Sequence, residues 1–142
     1  MKNESNVRTI NRVILAIVLV LGLGTALFTI VDLISTADTA FGEEAQSRYE
    51  FGWGLSQTTV LIALAAILIL LVIGWNRIFP FNVPLAVILF GFCYQFFFLV
   101  FTVGWVGFQG LVGLLAALFL GIILSVIYAI SILSGRRRTV NR

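Results

Sequence analysis

The sequence predicts an all-α integral membrane protein, built as a four-transmembrane-helix bundle. The chain is 61% hydrophobic and only 11% charged, whereas soluble domains are about 45–50% apolar and about 25% charged. Residues 13–31, 51–76 and 78–135 contain no Asp, Glu, Lys or Arg, and a spanning helix needs about 20 apolar residues. These runs also lack the period-2 alternation of a membrane β-barrel.

The last charge-free run is too long for one span, so it must fold back on itself. The best turn in it is "GWVGFQG", residues 104–110, which combines three glycines with Trp105 and Gln109. Glycine favours turns, and tryptophan suits a membrane interface. The predicted spans are therefore 13–34, 57–76, 84–104 and 108–134, with an outer turn at 105–107.

The charges predict the orientation of the spans. Basic residues precede the first span, lie between the second and third, and follow the fourth, whereas most acids lie in the loop after the first span. Because cytoplasmic segments carry the excess of Lys and Arg, we expect both termini to be cytoplasmic. The tail 1–12, the inner loop 77–83 and the basic tail 135–142 would then lie inside, and the loop 35–56 outside.

The first span has a competing interpretation as a signal peptide. A basic start, an apolar run and the small residues Ser35, Thr36 and Ala37 resemble a cleavable leader. Cleavage after Ala37 would leave three spans. The apolar run, however, exceeds the about 15 residues of a signal-peptide core, which favours a retained span.

The outer loop contains a possible interfacial helix. Phe41, Ala45, Tyr49 and Trp53 recur every four residues and would form one apolar face of a helix. Such a helix would lie in the membrane interface with its aromatic side down. The alternative is an irregular loop whose aromatic residues anchor the second span.

The fourth span carries a stripe of small residues, Gly113, Ala117, Gly121 and Ser125. Small residues at every fourth position let two helices approach closely in lipid. We expect the stripe to pack inside this bundle; the alternative is a docking groove for a partner helix. The second span has a smaller face of this kind, formed by Thr59, Ala63 and Ala66.

A polar trio, Cys93, Tyr94 and Gln95, lies near the middle of the third span. Consecutive helical residues point about 100° apart, so at most two of them share an interface. An amide in hydrocarbon is costly, so Tyr94 and Gln95 should face inward, toward Thr25 on the first span. This candidate midplane polar site is either packing with internal hydrogen bonds or a small ligand cavity. A thiol role for Cys93 would need a nearby cation.

The residue types missing from the chain limit its chemistry. There is no His, the commonest general base and metal ligand. Proton-coupled or cation-coupled transport usually needs an ionisable residue at membrane depth, and the only acid in an apolar segment, Asp32, lies near a helix end. We therefore predict no catalytic residues, no metal site and no cofactor.

Two functions from different classes fit these features. The first is a non-enzymatic accessory or modulatory subunit that acts through helix–helix and outer-loop contacts. The second is a channel or small-solute transporter that uses the midplane site. An enzyme acting on lipids is a third, weaker possibility, because a base is lacking.

The composition also suggests partners and a location. The bilayer is the first expected partner, with a membrane protein or a second copy as a further one. The net charge of +3 is distributed by topology, so it does not indicate nucleic-acid binding. The compact loops, and an outer loop without an Asn-x-Ser/Thr motif, favour a prokaryotic cytoplasmic membrane.

Overall fold

The computed structural model describes residues 2–37, 53–102 and 105–140. These residues form four α-helices: α1 (Lys2–Ala37), α2 (Leu55–Ile73), α3 (Asn82–Phe101) and α4 (Trp105–Val140). Each of the four is long and apolar enough to cross a membrane. The fold is that of a multi-pass integral membrane protein in contact with a lipid bilayer.

Helices α1 and α4 are longer than a bilayer requires. Each has 36 residues, or about 54 Å at 1.5 Å per residue, against about 30 Å for the hydrocarbon core. The polar segment 2–12 therefore continues the helix of the first span, and residues 135–140 continue the helix of the fourth. Asp32 lies toward the other end of α1, where its carbonyl accepts a hydrogen bond from Ser35.

Helix α3 is the centre of the packing. It packs most extensively against α4, and also against α1 and α2. Its residues Val83, Val87, Phe98 and Val100 are almost fully buried. Helix α2 has a single buried residue, Leu71, so its other faces point to the surroundings.

The ends of α1 and α4 meet the α2–α3 connection at one end of the molecule. Asn11 on α1 is 3% exposed, and its amide nitrogen lies 3.5 Å from the Pro80 carbonyl. The Tyr128 hydroxyl on α4 donates to the Asn11 side-chain oxygen, and the Arg8 guanidinium lies 5.3 Å from the centre of the Phe79 ring. We call this the basic end, because α1, the α2–α3 connection and α4 all bring their basic residues to it.

The helix bounds differ from the predicted spans at the turn between α3 and α4. Residues 105–107, predicted as the outer turn, belong to α4. Gly110, one of the glycines that suggested a turn, has a packing role instead. A Cβ on Gly110 would lie 2.7 Å from the Phe98 Cβ, so the hydrogen side chain lets α4 approach α3.

Candidate functional site

A groove of about 340 Å³ lies between α1, α3 and α4. Thr25, Tyr94 and Gln109 supply its polar groups, and Gly22, Gly113 and Ala117 supply part of its apolar wall. We call it the α1–α3–α4 groove. It contains two of the three residues predicted as a midplane site.

Tyr94 connects α3 to both of its neighbours in this groove. Its hydroxyl lies 3.0 Å from the Thr25 hydroxyl. Thr25 lies equally close, at 3.0 Å, to the backbone carbonyls of Leu21 and Gly22 on its own helix. Because a hydroxyl has one hydrogen but two lone pairs, Thr25 donates to a carbonyl and accepts from Tyr94.

The Tyr94 ring occupies space that a glycine leaves open. A Cβ on Gly113 would lie 2.5 Å from the ring atoms Cδ1 and Cε1. This distance is too short for any side chain larger than hydrogen at position 113. The ring also packs against Phe98, with centroids 4.8 Å apart. Tyr94 is therefore held by packing on one side and by a hydrogen bond on the other.

One turn further along α1, Thr29 lies close to Gln109, which lines the same groove. The Thr29 hydroxyl lies 2.9 Å from the Thr25 carbonyl and 3.4 Å from the Gln109 side-chain oxygen. Gln109 is exposed. The sequence predicts Gln109 near the start of the fourth span, and its position on α4 makes it part of the groove.

Gln95 is placed differently from Tyr94. It is not among the residues that line the groove. Its side-chain oxygen is buried and has no hydrogen-bond partner within the described part of the chain. A Cβ on Gly110 would lie 2.8 Å from this oxygen, which shows that the amide is pressed against the start of α4.

Small residues surround the polar pair only in part. Gly22 on α1 accommodates the Phe90 ring, and Gly121 on α4 accommodates Ile88. Ala66, on the small face of α2, is exposed, because α2 packs against α3 on a different face. Small residues therefore do not close around Tyr94, and the groove is the space that remains.

The small stripe of α4 faces α3. Gly113 contacts Tyr94, and Gly121 lies beside Ile88. A Cβ built on Gly91 of α3 would lie 2.5 Å from the Ala117 Cβ. Ser125 donates to the Gly121 carbonyl at 2.8 Å. These contacts belong to the α3–α4 interface, the most extensive helix pairing in the described structure.

The two remaining predicted features lie outside this groove. Of the predicted interfacial face, only Trp53 is described; it precedes α2 and packs edge-on against Phe96, with centroids 6.4 Å apart. Phe41, Ala45 and Tyr49 lie outside the described residues. Cys93 is a half-buried free thiol that lines neither this groove nor the one between α2 and α3.

The buried pair Asn11 and Tyr128 was not recognised in the sequence. Asn11 lies in a segment read as a polar tail, and Tyr128 is one aromatic residue among many in the fourth span. The available signal in the sequence was a polar residue, Asn11, just before the apolar run that begins at Val13. The pairing itself depends on how far α1 continues beyond the membrane core.

Known proteins offer no guide to the chemistry of these features. Neither the protein-family models, nor the curated proteins, nor the solved structures contain a match to this chain. Within residues 2–37, 53–102 and 105–140, no three His, Cys, Asp or Glu side chains come together as a metal site would require. The function is therefore argued from the geometry alone.

Proposed function

We propose that this chain is a non-enzymatic accessory or modulatory subunit that acts through helix–helix and outer-loop contacts. Its basic end faces the cytoplasm, as the excess of Arg and Lys there favours, so both termini are cytoplasmic. The membrane is the cytoplasmic membrane of a prokaryote. A protein partner or a second copy of the chain completes its packing.

The observation that supports this proposal is the uneven burial of the four helices. The most apolar stretches of α1 and α2 are each 6% buried, against 39% in α3 and 22% in α4. Helices α3 and α4 form a closely packed pair, while α1 and α2 flank it and expose most of their surface. Such flanking helices are well placed to contact another membrane protein.

Helix α2 also has a face suited to helix packing. Thr59, Ala63 and Ala66 lie on one side of it and are exposed. In lipid, helix association depends on close packing at small residues rather than on the hydrophobic effect. Lipid tails are the default neighbours of an exposed apolar face, so the experiment must separate a protein neighbour from lipid.

Site-specific photo-crosslinking in intact membranes distinguishes a protein neighbour from lipid. A photoreactive residue at Ala63 should give an adduct of one defined mass, and the same residue at Ile69, on another side of α2, should give lipid adducts only. Ala66→Phe should abolish the Ala63 adduct by blocking close approach. Lipid adducts alone at both positions would contradict the proposal, as would an Ala63 adduct that persists in Ala66→Phe.

A second function, passage or binding of a small polar solute, is favoured by the α1–α3–α4 groove. Thr25, Tyr94 and Gln109 present hydroxyl and amide groups to a space of about 340 Å³. Ligand pockets of this size commonly combine an apolar wall with a few polar groups. None of the groove residues is ionisable near neutral pH, so the solute would be uncharged or would move without coupling to protons.

Flux in proteoliposomes tests this second function. Uptake of small polyols and water by vesicles containing the chain should exceed that of empty vesicles. It should fall when Gly113→Leu or Thr25→Phe fills the groove, and also in Gln95→Leu if the buried amide acts on the solute. Flux equal to that of empty vesicles would exclude a channel or transporter for these solutes.

A further inference from the structure

We infer that the groove between α2 and α3 is a binding site for an anionic phospholipid, with one acyl chain in the groove and the headgroup phosphate at Arg77. The groove has a volume of about 410 Å³. The residues that form it and matter here are Leu64, Ile67, Leu71, Ile78, Leu85 and Phe92. This site is separate from the α1–α3–α4 groove and lies beside the small face of α2.

The groove lies between two contacts that flank α2. At one end, Trp53 packs against Phe96 with ring centroids 6.4 Å apart. At the basic end, α2 closes onto the connection, where a Cβ on Gly74 would lie 2.9 Å from the Ile78 side chain. Between these contacts only apolar side chains line the groove.

The length of the groove selects an acyl chain rather than a helix. Leu64 to Leu71 rise about 10 Å along α2, which is less than the about 15 Å that one leaflet contributes to a hydrocarbon core of about 30 Å. The Trp53–Phe96 contact ends the groove on the far side. A spanning helix would need the full thickness, whereas one lipid tail from the basic-end leaflet fits the available length.

A basic residue next to the groove in sequence favours an anionic headgroup. Arg77 directly precedes Ile78 and is exposed. Glu4 is the only acid that the sequence places at the basic end; the other five are Asp32 and the acids of the 38–50 segment. An arginine guanidinium matches the geometry of a phosphate, and basic residues at a membrane surface attract anionic lipids.

Native mass spectrometry tests both the headgroup contact and the acyl-chain groove. The full chain is titrated with phosphatidylglycerol or phosphatidylcholine in mild detergent. The chain should retain phosphatidylglycerol in preference to phosphatidylcholine. Arg77→Gln should weaken that retention about five-fold, the factor expected for one cation beside an anionic headgroup. Arg77→Lys should restore most of it, and Arg12→Gln, which removes a basic-end cation away from the groove, should leave it nearly unchanged.

A second pair of variants tests the tail independently of charge. Ile67→Trp fills the groove and should lower retention of phosphatidylglycerol, whereas Ile69→Trp on another side of α2 should not. Equal losses in Arg77→Gln and Arg12→Gln would overturn the proposal in favour of diffuse charge. Unchanged retention in Ile67→Trp would also overturn it, as would a dimer that Ile67→Trp dissociates, since a second copy would then occupy the groove.

Discussion

The Tyr94 hydroxyl on α3 lies 3.0 Å from the Thr25 hydroxyl on α1, and this contact joins the tightly packed α3–α4 pair to a flanking helix. Much of α1 is exposed and apolar, so few of its side chains fix its position. A hydrogen bond at this depth has a small net value, because polar groups of the separated helices also find partners. It can still set how α1 is rotated on α3.

We predict that Tyr94→Phe lowers the free energy of unfolding by about 0.6 kcal/mol, the average for hydrogen bonds between membrane helices. The phenyl ring keeps its contact with Gly113, so only the hydroxyl is lost. A double-mutant cycle with Thr25→Val, measured by reversible unfolding in mixed micelles, isolates the pair. Additive losses from the two changes would show that the hydroxyls do not interact.

The closest approach of α3 and α4 gives a larger predicted effect. A Cβ on Gly91 would lie 2.5 Å from the Ala117 Cβ and 3.5 Å from the Leu114 Cα. Because neither atom is the end of a flexible side chain, Gly91→Ala must separate the helices, and we expect a loss of about 1–3 kcal/mol.

Gly24→Ala is the matched control, because a Cβ there meets nothing within 4 Å. Alanine also favours the helix over glycine, so this variant should unfold at the same free energy or a higher one. Both variants can be compared in the same micelle assay. A similar loss in both would mean that glycine is needed for backbone reasons and not for helix contact.

The sequence was sufficient to predict four spanning helices, because hydropathy alone determines them. It did not show where the spanning helices continue: the polar residues before Val13 look like a tail until Asn11 is seen packed against Tyr128. It identified Tyr94 with Thr25 because both lie at similar depth. It did not separate Tyr94 from Gln95, since their directions depend on how α3 is rotated, and that rotation is set by Gly110 and Gly113.

Tyr128→Phe should cost more than Tyr94→Phe. It removes the donor to the side-chain oxygen of Asn11, and Asn11 is only 3% exposed. Leaving a buried acceptor unpaired costs about 1–3 kcal/mol. In the unfolding assay the Tyr128 variant should therefore lose more stability than the Tyr94 variant. Equal losses would indicate that water reaches Asn11 and replaces the tyrosine.

Gln95→Leu should leave stability unchanged or raise it, in contrast to most polar-to-apolar changes at a helix contact. The Gln95 side-chain oxygen is buried without a partner in the described structure, and such a group costs about 1–3 kcal/mol. Leucine has a similar length and no group to satisfy. Gln109→Leu is the control, because Gln109 is exposed and its loss removes no buried unpaired group. If Gln95→Leu instead destabilises the chain by about 1 kcal/mol or more, its amide has a partner in the folded state. That partner would be water, a solute, a second chain or a residue outside the described ones, and the space beside Gly110 would then be the first place to search for it.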